Sequence, residues 1–246
     1  SGIMDMRRAP PPATAAAVRR ELRRHRNPAQ AAILRRFFKT KPGEYGAGDE
    51  FWGLKVPQVR AVLSRFPEAT LDVAGALLDS PVHEVRLFAA LALVRAYARG
   101  DAAARAEIFD FYLARAARIN NWDLVDASAP GIVGRHLPPG KGRRILGRLA
   151  KSEVLWERRI AMVSTLEHIR RGHLDNTFWL AERLLKDPED LMHKATGWML
   201  REAGKRDVDA LRKFLVRHAG KMPRTALRYA IERLSPTERR KWMSGK

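Results

Sequence analysis

Cysteine is absent from this chain, which excludes a disulfide framework and any thiolate metal site. The seven histidines, at positions 25, 83, 136, 168, 173, 193 and 218, form no pair at i,i+3 or i,i+4, so no zinc or iron ligand set is evident and no metal or cofactor is expected. No apolar run approaches the roughly 18 residues that a spanning helix requires, which argues against a membrane. Acidic residues are scarce relative to basic ones, 27 against 47, for a net charge of +20. Such an excess implies a polyanionic partner, with nucleic acid ahead of an anionic membrane surface. Runs of β-branched residues are short, and nothing calls for a pair of strands. The spaced glycines of segment 43–57 lack a Gly-Lys-Ser/Thr ending and a preceding strand, so a phosphate-cradling nucleotide loop is disfavoured.

What is present is a core-forming chain. It has 246 residues and 46% hydrophobic content, enough for one large domain or a repeat array. Ser1-Gly2-Ile3 before Met4 reads as a tag remnant, and Arg7 to Ala13 as a basic arm. Residues 1–13 are therefore set aside, and 14–246 are expected to form a single domain. From Thr14, a plausible N-cap, Ala, Leu and Arg dominate and apolar residues recur at three and four. Helices are predicted near 14–25, 28–39, 56–65, 68–79, 82–98, 102–117, 121–136, 140–151, 154–171, 174–186, 190–203, 207–219, 223–233 and 236–242. Breaks fall at Pro81, Gly100, Pro138-Pro139-Gly140, Gly172, Pro188 and Gly220.

The helices repeat. Glu84-Val85-Arg86-Leu87 resembles Glu157-Arg158-Arg159-Ile160, and Arg86 and Arg159 lie 73 positions apart, about twice a period in the mid-thirties. Asp123 follows Arg86 by 37, and Lys194 follows Arg159 by 35. This is the spacing of a helical-hairpin solenoid, an all-α repeat fold in which equivalent helices line one concave and here basic face. Trp122, Asp126, Arg159 and Trp198 all fall in the second helix of successive pairs, so residues distant in sequence converge.

The stretch Asn120-Asn121-Trp122-Asp123-Leu124-Val125-Asp126 is the most informative. Trp122 and Asp126 are i,i+4 neighbours, so an indole and a carboxylate project side by side on a basic chain. Read structurally, Asp123 or Asp126 complements the helix N-terminus while Trp122 fills the core. Read functionally, the pair is the chemical centre of a DNA-binding enzyme. Three later patches decide between these: Leu155-Trp156-Glu157-Arg158-Arg159-Ile160-Ala161, His193-Lys194-Ala195-Thr196-Gly197-Trp198-Met199-Leu200-Arg201-Glu202, and Met222-Pro223-Arg224-Thr225-Ala226-Leu227-Arg228-Tyr229-Ala230.

In this order and spacing the four patches resemble the AlkD family of DNA alkylation repair glycosylases, built from HEAT-like helical repeats, over most of the chain from about Thr14. The resemblance implies hydrolysis of the N-glycosidic bond of N3- or N7-alkylated purines in duplex DNA, as in base excision repair. It implies catalytic roles for Asp126, Trp122 and Trp198 around the deoxyribose, and for Arg159 at a nearby phosphate. It further implies a lesion left stacked rather than flipped, tolerance of bulky adducts, and a monomeric cytoplasmic bacterial protein acting on the nucleoid. The family pattern Gly-x-x-x-Pro reads Gly53-Leu54-Lys55-Val56-Pro57 here. Lys55 stands where some members carry an uncharged polar residue, and Phe37 where some carry tyrosine.

The chemistry supports these roles. Alkylation at N3 or N7 makes the purine cationic and a good leaving group, and its departure leaves oxocarbenium character on the sugar. A carboxylate about one water away stabilises that charge and orients the attacking water. Arg159 is expected to keep Asp126 ionised, and the two indole faces favour the developing cation. Lys55, Arg158, Lys194, Arg201, Arg224 and Arg228 are expected to contact DNA. Arg224 and Arg228 are a like-charged i,i+4 pair that an anion would relieve. Trp52, Trp156, Trp179 and Trp242 are read as packing or loop residues, and Glu153, Glu157, Glu202 and Glu232 as surface ion-pair partners. The alternatives are a non-catalytic HEAT-like module binding duplex or branched DNA, which retention of Asp126 and both tryptophans disfavours, and a protein-binding scaffold, which the charge disfavours.

Overall fold

The computed structural model describes residues 12–245, so the expected tag remnant and most of the basic arm lie outside the described residues. Within them the chain is all-helical, with fourteen α-helices and no paired strands. It divides into two compact units, Ser1–Asp101 and Ala102–Lys246.

The first unit contains α1 (Ala15–Arg23), α2 (Pro28–Phe37), α3 (Val56–Ser64), α4 (Leu71–Leu78) and α5 (His83–Arg99). The starts follow local chemistry: the side chains of Thr14, Asn27 and Thr70 accept the backbone N–H of Ala17, Gln30 and Val73. The predicted start of α4 at 68 is instead 71, because the Thr70 cap sets it. Helix α5 is buried on nearly all sides, from His83 to Leu93 without interruption, so it serves as the unit's central rod.

The loop ahead of α3 is tied to that rod. The Glu84 carboxylate, 1% exposed, accepts the N–H groups of Trp52, Gly53 and Leu54 at 3.1, 2.7 and 3.1 Å. Gly53 sits at φ +90°, and a Cβ there would meet the Asn27 carbonyl oxygen at 2.0 Å, so only glycine fits. Asp49 joins the same rod, bonding His83 Nδ1 at 3.1 Å and the Arg86 guanidinium. Burial pushes the Asp49 carboxyl up, but the His83 and Arg86 contacts together outweigh it and hold it below its ordinary value.

The second unit contains α6 (Ala102–Ala114), α7 (Trp122–Ala129), α8 (Arg143–Ala150), α9 (Leu155–Arg170), α10 (Asp175–Leu184), α11 (Asp190–Arg206), α12 (Val208–His218), α13 (Arg224–Ala230) and α14 (Pro236–Ser244). Helices α7, α9, α11 and α13 pack each against the next, forming one layer. Helices α8 and α10 pack against each other and on α9, and α12 packs on α11, forming a second layer. This alternation is the helical-repeat arrangement that the sequence spacing predicts.

The predicted helix over 121–136 is not regular throughout. After α7 it widens into a π-turn, Pro130–Gly134. Pro130 has no N–H to return to the carbonyl four residues earlier, which belongs to Asp126, and this breaks the α-helical ladder there. Gly134 then allows close approach to α9, where a Cβ would lie 2.3 Å from the Ser164 carbonyl oxygen. His168 completes the seam: its Nε2 donates to the carbonyls of Gly134 and Leu137 at 3.0 and 2.8 Å. Burial lowers the His168 pKa against the opposing pull of those carbonyls, so it holds the turn as a neutral imidazole.

Candidate active site

The site is built from the starts of three neighbouring helices in one layer. The buried Asn121 side chain caps α7 by accepting Trp122 N–H at 2.8 Å. Asp123 lies in the first turn, and its carboxylate accepts Leu124 N–H at 2.8 Å. The helix-start role therefore falls to Asn121 and Asp123, and Asp126 is left for another purpose.

That purpose is an ion pair with α9. Arg159 Nε and Nη2 donate to Asp126 Oδ1 and Oδ2 at 3.1 and 3.0 Å, a bidentate fork. The third Arg159 contact, Nη1 to the Leu191 carbonyl at 2.6 Å, reaches the start of α11. One guanidinium thus joins α7, α9 and α11. Its side chain is 6% exposed whereas that of Asp126 is 20% exposed, so the arginine is the buried foundation and the carboxylate its accessible edge. Burial raises the Asp126 pKa, and Asp123 adds to this; the Arg159 charge and hydrogen bonds oppose it without cancelling it. Arg159 does favour the ionised form, as expected, but desolvation is the larger effect.

The reverse face of α7 is also fixed. Ser128 Oγ donates to the Leu124 carbonyl at 2.5 Å, so the fully buried Tyr112 hydroxyl is the donor in its 2.7 Å bond to Ser128. Burial, despite Ser128 and helped by the Asp126 charge, pushes the Tyr112 phenol far above its usual range. Nothing in the sequence pattern flags this pair, since a lone Tyr and a lone Ser are common in helices.

Trp122 opens α7 one turn before Asp126 on the same face, half-buried. Trp198 is half-buried on α11, two turns beyond Leu191. Its neighbour Gly197 lets α11 approach α13 closely, because a Cβ there would meet the Ala226 carbonyl oxygen at 2.5 Å. The fold thus assigns all four predicted catalytic residues to successive helices of one layer.

The residues expected to contact DNA differ in their surroundings. Arg158 pairs with Asp187 at 2.7 Å and donates to the carbonyls of Ser152 and Glu153, so its guanidinium braces the start of α9. The Arg201 side chain is held by Glu232 and Glu202. Arg159 itself is occupied in holding Asp126 before it can grip a phosphate. Lys194 pairs with the exposed Asp190 at 3.2 Å, a weak surface contact. Arg224 and Arg228 lie exposed on α13, with Arg224 donating to the Met243 carbonyl at 2.8 Å. Lys55 is exposed at the start of α3, and Phe37, 59% exposed, ends α2; both lie in the first unit. Of the other tryptophans Trp156 is buried, whereas Trp52 and Trp179 are half-buried beneath arginines. Glu202 and Glu232 are ion-paired as expected.

Helical hairpins in two layers, with a carboxylate and two indoles along one of them, define a helical-repeat protein bearing a candidate catalytic site. A family model described as DNA alkylation repair enzyme matches residues 18–234, and the chain belongs to that family. Among solved structures, the chain is similar to one titled "Predicted DNA alkylation repair enzyme from Enterococcus faecalis", with TM-score 0.66 and 18% identity. The match covers 86% of this chain and 97% of that one, a likeness of fold. No curated protein matches the chain.

Proposed function

We propose that the protein is an alkylpurine DNA glycosylase, hydrolysing the N-glycosidic bond of cationic N3- or N7-alkylated purines in duplex DNA. The observation that carries this is the Asp126 carboxylate, forked onto a buried arginine yet one-fifth exposed. A carboxylate serving only stability needs no open edge, and one serving only solubility needs no buried partner. Arg159 takes the lower face of the carboxylate and fixes its orientation, which leaves remaining lone pairs for a water and for the anomeric carbon of a bound nucleotide.

As the cationic base departs, the deoxyribose ring gains positive charge. Asp126 stabilises that charge and accepts a proton from the attacking water as the new C–O bond forms. The bond to the purine breaks with its electron pair going to the base, which leaves neutral. Trp122 and Trp198 face the sugar and favour its cationic transition state. A preorganised dipole pair costs no reorganisation at the moment of reaction, and the leaving group needs no protonation, so the base can remain stacked.

The test is release of free base from duplex DNA carrying N7-methylguanine or N3-methyladenine. Purified protein should release it, and Asp126→Asn should not, while binding the same duplex at least as well. Binding without release by the wild type would replace this reading with that of a non-catalytic DNA-binding module.

A further inference from the structure

On the layer away from the candidate site, α8 and α10 enclose a groove of about 510 Å³. Its cations are Arg143, Arg144, Arg148 and Lys151 on or just after α8, with Arg183 on α10; all are exposed, and no residue lining the groove is acidic. Arg144 and Arg148 are one turn apart on α8, an arrangement that repels unless an anion lies across it.

The groove is also organised in advance. Trp179 packs over Gly147, where a Cβ would come 3.2 Å from the indole ring. The guanidinium carbons of Arg183 and Arg143 lie 4.0 and 5.2 Å from the Trp179 ring centroid. A guanidinium held over an aromatic face is attracted to the ring and keeps its remaining N–H groups for an acceptor. Each is pinned by one bond at the back, Arg183 Nη1 to the Trp179 carbonyl at 3.0 Å and Arg143 Nε to Asn176 Oδ1 at 3.2 Å. Side chains already held lose less entropy when a ligand arrives. A solvated charged face has no need of this scaffolding.

We propose that this groove is a second duplex-DNA site, taking the phosphodiester backbone of a segment other than the one held at Asp126. Membership of a DNA repair family selects DNA among polyanions; the proposal rests on the reading that duplex DNA is held at Asp126, and not on excision there. Asp126, Arg159 and Trp198 stand on α7, α9 and α11, the other layer. One straight duplex cannot lie along both layers, so the chain would bridge two segments, and local search would proceed by transfer from one to the other.

The experiment counts duplexes. Sedimentation and calorimetric titration with an undamaged duplex of about one helical turn should give two duplexes per chain. Arg144→Glu with Arg148→Glu should give one, the second affinity falling about tenfold or more at physiological salt, while affinity at the first site stays unchanged. Trp179→Ala should weaken the second site alone. Arg239→Glu with Arg240→Glu, equally exposed on α14, removes the same charge and should retain two duplexes. Circular dichroism confirms that each variant is folded. A wild-type stoichiometry of one overturns the proposal, as does equal loss at both sites or loss by the α14 control. Asp126→Asn separates the two readings, since it should bind two duplexes whether or not excision depends on that residue.

Discussion

Asp126 carries opposing demands, and its titration exposes them. Burial raises its pKa above the ordinary carboxylate value despite Arg159, and the proposed chemistry uses the ionised form. Single-turnover excision should therefore fall on the acid side, with a midpoint higher than that of an ordinary aspartate. Arg159→Ala removes the main opposing influence and should move that limb further towards neutrality. It should also cost about 3–5 kcal/mol of stability, the usual penalty for leaving one member of a buried pair without its partner. A limb that does not move in the variant would assign the titration to another group. The residue types of this site were legible: the Trp–Asp spacing and its recurrence with Arg159 and Trp198 are written in the sequence. That Arg159 lies beside Asp126 was also anticipated, but its bond to the Leu191 carbonyl and the depth of the guanidinium's burial were not, because both depend on how α11 packs on α9.

The same side chains recur at the scale of the helix. Arg86 on α5 and Arg159 on α9 both sit near a helix start and each bonds an aspartate and a carbonyl, that of Ser80 or Leu191; Arg86 reaches Asp49 through Nη2, whereas Arg159 grips Asp126 through Nε and Nη2. In the first unit the aspartate is closed in, with 9% exposure for Asp49; in the second, Asp126 is open at 20%. The repeat thus supplies a structural ion pair, and opening one copy to solvent supplies a site. Helix identity and order were readable because the 3.6-residue pattern and the Pro and Gly breaks are local. The π-turn was not read, although Pro130 inside a helical pattern marks it, and the Glu84 anchor was invisible because its partners are backbone N–H groups some thirty residues away. Gly197 tests whether helix spacing positions the site. Gly197→Ala places a methyl against the Ala226 carbonyl, and overpacking of this kind costs about 1–3 kcal/mol. Because α11 must shift, Trp198 shifts with it, and excision should fall by more than the loss of folded protein explains. An unchanged rate for the folded variant would show that Trp198 tolerates displacement.

For the whole molecule the question is what the charge of +20 does. Many of its arginines are spent internally, Arg158 on Asp187 and Arg212 on Glu238 among them, so the charge count overstates the number of phosphate contacts. Affinity for duplex should weaken as salt rises, with a log-log slope of roughly −0.9 per neutralised phosphate. Arg228→Ala should flatten the slope by about one contact, whereas Arg158→Ala should lower stability and leave the slope alone. A slope altered equally by both would mean that Arg158 leaves Asp187 to meet DNA.

Substrate range follows from what the site relies upon. If departure is driven by the charge of the alkylated base, the protein need not read the base, and rate should track how readily each adduct depurinates spontaneously. Asp126 is the group assigned to the chemistry, and it is used as an anion; the Tyr112 proton is committed to Ser128 within the core. Neither is disposed to protonate a neutral leaving base. Cationic N3- and N7-alkylpurines should therefore be excised, large ones included, while uracil and hypoxanthine should persist. The measurement is single-turnover release over a series of N7-alkylguanines of growing size, beside a uracil-containing duplex. Rates that follow intrinsic lability across the series would support a mechanism acting on the sugar. Efficient release of uracil, or a cutoff just above a methyl group, would mean that an enclosed pocket reads the base and that the roles assigned to Asp126 and the two indoles must be redrawn.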